Sequence, residues 1–204
     1  MYKLYWAPDT GAFAPEVVLA LAGAPVEKVL VDHHAKEQKG EAYRKLNPMG
    51  QIPLLILPDG QVMTESAAMV LYLVDCFPEA GLAPPPGSPE RAAFDRWLVF
   101  MAVNIYTADL RLYYAERYST DPVEIPGIKA AATRDLDRQF AIVSAALGSG
   151  PFLQGARYSA ADLYLLMVSD WYPPAQELPA IARLRQALLE DSTIHSVWAI
   201  YRKD

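Results

Sequence analysis

The chain has 204 residues, 52% of them apolar and 21% charged, which suits a globular protein of one large or two small domains. Its net charge of −6, with no Lys/Arg run, argues against a general nucleic-acid binder, because that affinity rests on clustered cations. No apolar stretch reaches the ~20 residues of a bilayer span, and Met1–Trp6 turns polar too soon to read as a signal peptide. The single cysteine, Cys76, forms no internal disulfide, so a reducing cytoplasm is the expected setting.

Lys3 to Trp6 reads as a short strand of β-favouring residues ending at Pro8. Asp9-Thr10-Gly11 is turn chemistry, and Ala14-Pro15-Glu16 opens a helix that runs to a stop at Gly23. Glu27 to Asp32 alternates as a second strand, so the opening is strand, helix, strand, the order of a parallel pair with a crossover. His33 to Lys45 is polar and predicts loop and short helix. Ile52–Leu57 and Gln61–Met63 predict two strands joined by the Pro58-Asp59-Gly60 turn, close enough to pair only antiparallel. Thr64-Glu65-Ser66 then caps a helix whose apolar residues from Ala68 to Leu73 follow the 3.6 period.

Phe77 to Pro89 is rich in Pro and Gly, with Pro84, Pro85 and Pro86 consecutive, and is the best linker in the chain. Beyond it every segment predicts helix: Pro89 to Tyr118, Ile128 to Leu147, one beginning at Ser159, and one from Pro179 to about Tyr201. The expected fold is an N-terminal βαβ-ββα domain with a mixed four-stranded sheet (1–78), a linker (79–88) and an all-helical domain (89–204).

Three motifs stand on this framework. Asn47-Pro48-Met49-Gly50-Gln51-Ile52-Pro53 leads into the third strand, with an X–Pro bond suited to the cis form. Thr64-Glu65-Ser66 places an acid and a hydroxyl at a helix start whose free N–H groups suit an anion. Ser159-Ala160-Ala161-Asp162, after Gly150-Pro151-Phe152-Leu153, is an N-cap box with Asp as its reciprocal acceptor and has no chemistry of its own. Together these resemble the glutathione transferase family, in particular its bacterial beta-type members, over nearly the whole chain.

That resemblance implies a thioredoxin-like domain that grips glutathione. Gln51, Ile52 and Pro53 would meet its cysteinyl backbone, Glu65 and Ser66 its γ-glutamyl end, and Lys36 its glycine carboxylate, with Lys39 and Lys45 as nearby alternatives. It also implies a homodimer packed through the third and the first long helix, where Asp75, Arg91, Asp95 and Arg96 supply charges. His33 and His34 read as loop residues, and no metal site is spaced in the sequence.

A transferase must lower the pKa of the glutathione thiol, ~8.5 when free, with a donor and a positive helix end. Beta-type members place a cysteine in the turn after the first strand, and related classes a serine. Gly11 and Ala12 stand there instead. The candidate donors are Thr10, then the backbone N–H groups of Gly11 and Ala12, then Tyr106; Tyr5 reads as a strand aromatic, and Cys76 as a buried small residue rather than a nucleophile. A second, hydrophobic substrate is expected against Phe13, Tyr106, Leu110, Tyr113 and Tyr114. The expected function is conjugation of glutathione, as co-substrate, to a hydrophobic electrophile, with no metal, nucleic acid or membrane partner. The alternative is a non-catalytic glutathione-binding or regulatory module of the same fold.

Overall fold

The computed structural model describes residues 1–202, so the last two residues of the expected helical domain, 203 and 204, lie outside the described residues. Four strands form at the β-favouring runs: β1 (Tyr2–Trp6), β2 (Val26–Leu30), β3 (Leu54–Ile56) and β4 (Val62–Met63). They pair in the order β2-β1-β3-β4, with β1 and β2 parallel and the other two pairs antiparallel. The mixed sheet is the one expected from the order of elements. The parallel pair is joined by α1 (Phe13–Leu21), since parallel neighbours cannot be linked by a tight turn.

α2 (Glu41–Leu46) follows a single 3-10 turn at Glu37–Lys39, and α3 (Ser66–Cys76) follows β4. The all-buried stretch from Phe13 to Leu19 shows why α1 holds: it packs against α3. Leu4, Leu54, Leu55, Met69, Val70 and Leu73 close that core, each fully buried.

By its contacts the chain divides into two units, residues 1–83 with 189–202, and Pro84–Leu188. Sequence order placed the C-terminal helix in the helical domain, whereas α10 (Ser192–Tyr201) packs on α1. Two features explain its separation from α9 (Pro179–Leu189). The carboxylate of Asp191 accepts the N–H groups of Thr193 (2.8 Å) and Ile194 (3.1 Å), restarting the helix with a side-chain cap. Ile194, Val197 and Tyr201 then supply an apolar stripe of helical spacing.

In the second unit the expected long first helix is α4 (Pro89–Phe100), a π turn at Met101–Ile105 and α5 (Tyr106–Tyr113), ending short of Tyr118 where Tyr114 leaves helical geometry. Ser88 caps α4 by accepting the Arg91 N–H at 3.1 Å. α6 (Ile125–Leu147) starts three residues before the expected Ile128, with Pro126 in its first turn, where a missing N–H costs nothing. α7 (Ala160–Trp171) opens on the Ser159–Asp162 capping box, and α8 (Pro173–Gln176) is a single further turn. Asp162 is fully buried, and its second oxygen accepts the Leu153 N–H at 2.8 Å, tying the preceding loop to the helix.

Candidate functional site

Strand directions gather the motifs of the first unit at one end of the sheet. β3 and β4 are antiparallel with Leu55 opposite Met63, so the start of β3, preceded by Pro53, and the end of β4, followed by Glu65, lie at the same end of the sheet. Tyr5 pairs with Leu54, and the next residues of β1 lead past Pro53 into the turn that carries Thr10 and Gly11. Val31, just after β2, donates its N–H to the Trp6 carbonyl at 2.9 Å, so the segment bearing Lys36 leaves from the same end. Thr10, Gly11, Lys36, Gln51, Ile52, Pro53, Glu65 and Ser66 thus share one end of the sheet.

The Asn47–Pro53 loop is fixed from within. The Ile52–Pro53 peptide bond is cis. Asn47 is buried, donates from Nδ2 to the Gln51 carbonyl (2.8 Å) and accepts the Met49 N–H at Oδ1 (3.1 Å). The same Gln51 carbonyl accepts the Tyr43 hydroxyl at 2.8 Å. Burial first, and Tyr5 second, push the Tyr43 phenol well above its ordinary pKa, so it remains a donor throughout the physiological range. Gly50 has φ +56, and a Cβ there would lie 2.7 Å from the Gln38 carbonyl, so glycine is required by both conformation and space.

Glu65 sits immediately before α3 with φ 66 and ψ 101, a conformation that side chains with a Cβ rarely adopt. Such backbone costs about 1–3 kcal/mol and persists where surrounding structure holds it, commonly at ligand sites. Its side chain is exposed, whereas Ser66, the first residue of α3, is 8% exposed. An acid and a hydroxyl therefore stand at a helix start that has no side-chain cap. Among the three lysines, Lys39 donates to the Met49 carbonyl at 3.2 Å and Lys45 pairs with Glu41 at 2.9 Å, while Lys36 is exposed, with left-handed backbone.

The turn before α1 carries different chemistry. Thr10 donates its hydroxyl proton to the Ala7 carbonyl at 2.7 Å, and its oxygen accepts a long bond from the Ala12 N–H at 3.4 Å. A hydroxyl has one proton to give, so this geometry commits it inside the turn. Gly11 and Ala12 are buried, and α1 begins at the next residue with no side-chain cap. Phe13, expected on the wall for a second substrate, is 2% exposed and packs edge-on against Tyr201 at 5.7 Å. Tyr5 meets Tyr43 edge-on at 5.8 Å, and Cys76, expected buried, is exposed at the end of α3.

In the second unit Tyr106 packs edge-on against Trp171 at 4.9 Å, and Tyr113 donates its hydroxyl to the Trp171 carbonyl at 2.7 Å. Leu110 is half-buried on the same helix, and the Tyr114 ring carries the Arg117 guanidinium 3.7 Å from its centre. Between them Asp109 is buried, with no partner for Oδ1, and burial pushes its carboxyl up to about 7. Among the described residues no three His, Cys, Asp or Glu side chains converge on a metal position, and no helix is long and apolar enough to cross a membrane.

The family described as glutathione S-transferase, N-terminal domain, matches residues 13–76. An Escherichia coli K12 protein named as an uncharacterized GST-like protein, YncG, is 32% identical across 85% of this chain and 83% of its own length. The glutathione S-transferase GstA of Escherichia coli O157:H7 is 31% identical, across 83% and 81%. The chain belongs to the glutathione S-transferase family. Solved structures agree with this membership. A glutathione transferase homolog from sulfitobacter, holding bound glutathione, matches with a TM-score of 0.89 at 25% identity, covering 97% of this chain and 96% of its own. A glutathione transferase from Methylococcus capsulatus gives 0.83 at 31% identity, covering 98% of both chains. Within the family the chain stands with the bacterial, beta-like members.

Two contributors to the site escaped the sequence reading. Tyr43 lies eight residues before the carbonyl it holds, and nothing local marks the pair. Asn47 is visible in its motif, yet its grip on the Met49 and Gln51 peptides emerges only from the folded geometry.

Proposed function

We propose that this protein is a glutathione transferase that holds glutathione along the Gln51-Ile52-Pro53 edge and adds its sulfur to a hydrophobic electrophile. The observation that carries this reading is the juxtaposition, at one end of the sheet, of the cis Ile52–Pro53 peptide with the strained Glu65 and the Ser66 helix start. An extended cysteinyl backbone would pair with Ile52 as an added strand does. The γ-glutamyl ammonium would meet Glu65 and its carboxylate the Ser66 end of α3, while Lys36 would meet the glycine carboxylate. Relatives that carry glutathione in their structures support the ligand. A homodimer, and a wall for the electrophile built from Tyr106, Leu110, Tyr113 and Tyr114, belong to the same proposal.

Thiol activation falls to the main chain in this account. With the Thr10 proton committed to Ala7, the donors nearest the start of α1 are the N–H of Gly11 and that of Ala12, which is engaged only in its long bond to Thr10, reinforced by the positive end of the helix. The same observation favours a second reading, a binding module without turnover, because no side chain in the turn offers a free proton. Retention on a glutathione resin, lost in the Glu65→Ala/Ser66→Ala variant, tests binding. Turnover of chloronitroaromatic and epoxide substrates decides between enzyme and module: conjugation supports the enzyme, and retention without any conjugation supports the module.

A further inference from the structure

Three side chains that the glutathione account leaves unused converge behind the turn. Glu16, one helical turn into α1, is 4% exposed. Its Oε1 pairs with the Lys28 ammonium at 2.6 Å and its Oε2 accepts the Tyr201 hydroxyl at 2.6 Å. Lys28 also lies 4.4 Å from the centre of the Trp6 ring. Tyr201 does more than donate. Its carbonyl accepts the Asp9 N–H at 3.1 Å, and its ring packs on Trp6 at 5.2 Å and on Phe13 at 5.7 Å. One residue of the C-terminal helix therefore touches the turn at its start, at the first residue of α1 and one turn further on.

From this geometry we infer that Tyr201 is a positioning residue for thiol activation: it clasps the Asp9–Glu16 turn and, by donating to Glu16 beside the Lys28 ammonium, screens that carboxylate, keeping the positive end of α1 available to an anionic sulfur. The inference rests on the glutathione reading above. Its electrostatic logic is simple. A carboxylate one turn inside the helix opposes any anion held at the helix start, and the opposition grows when the carboxylate loses a donor. Burial, and then Glu16 itself, drive the Tyr201 phenol far above its ordinary pKa, so the donor keeps its proton. Among the elements packed on α1, the other ionisable groups are Glu65, Tyr72, Asp75 and Cys76 at and along α3, and Asp191, His195 and Arg202 at and around α10. On the strands Lys3 pairs with Glu27 at 3.1 Å. None of these changes in the variants below.

The test is the pH titration of thiolate absorbance for reduced glutathione bound to three proteins: wild type, Tyr201→Phe and Glu16→Gln. Tyr201→Phe keeps the ring and removes the donor. It should raise the titration midpoint and leave about three- to tenfold less thiolate at neutral pH, whereas Glu16→Gln, removing the opposing charge, should lower the midpoint. Opposite shifts support the inference, because a merely structural role would move both variants the same way or neither. Shifts in one direction, or no shift in either variant, overturn it. If wild type binds no glutathione, the functional reading fails. The clasp is then judged by amide exchange of residues 9–16 in the ligand-free protein: faster exchange in Tyr201→Phe than in wild type supports it, and equal exchange overturns it.

Discussion

The Asn47–Pro53 loop and the Thr10–Ala12 turn lie at the same end of the sheet yet are built in opposite ways. The loop is held by side chains: Asn47 bridges two of its peptides, and Tyr43 shares the Gln51 carbonyl with it. The turn offers almost no side-chain function, and its one hydroxyl is spent on Ala7. Recognition of a tripeptide needs groups at fixed spacing, which side-chain bonds can lock. Stabilisation of a thiolate needs only N–H donors and a helix end, which any backbone of the right shape supplies. The first kind of function leaves residue types in the sequence, and the second leaves geometry.

The sharpest way to break this contrast is to remove the recognition side chains. Glu65→Ala with Ser66→Ala should weaken glutathione binding by at least about a hundredfold in calorimetry, since two charge-assisted contacts are lost. Undiminished affinity would mean that the Glu65–Ser66 end does not read the ligand. Asn47→Ala should destabilise the first unit by about 1–3 kcal/mol in urea unfolding, because the Gln51 carbonyl keeps only Tyr43 and the Met49 N–H loses its acceptor. A loss below about 0.5 kcal/mol would show that the loop is held by its backbone alone.

A control lies in the second unit, where a carboxyl is buried without serving recognition. Asp109 keeps its proton up to about pH 7 when folded, whereas an unfolded chain loses it near pH ~4. Its contribution to stability is therefore fully present below the lower value and lost as pH rises through the higher one. Asp109→Asn should match wild type near pH 4 and exceed it by about 1–3 kcal/mol at pH 8. Equal pH dependence in the two proteins would place the carboxyl in water.

The smallest expected effect is the most discriminating for the turn. Thr10→Ala should reduce kcat/KM by no more than about threefold, because the main-chain donors remain and the Ala12 N–H is released. A fall of about a hundredfold would restore Thr10 as the donor and end the contrast between the two segments.

Sequence order made the mixed sheet and the three motifs legible, because turn residues and apolar periods are local signals. Three things were not. Asp191 is an N-cap that splits the last helix, and it sits in a short polar run, Glu190–Thr193, between two apolar stripes that read in the sequence as one helix. The return of α10 to α1 depends on Tyr201 meeting Glu16 across 185 residues, a contact that no local pattern encodes. The commitment of the Thr10 proton depends on where the Ala7 carbonyl points, which is set by the turn and not by residue type.

The most direct measurement is a crystal structure of this protein grown with reduced glutathione. The account predicts the cysteinyl backbone paired with the N–H and C=O of Ile52, the γ-glutamyl end on Glu65 and Ser66, and the sulfur within about 3.5 Å of a main-chain nitrogen at Gly11 or Ala12. Glutathione lying elsewhere, or bound with the Ile52 peptide left unpaired, would contradict it.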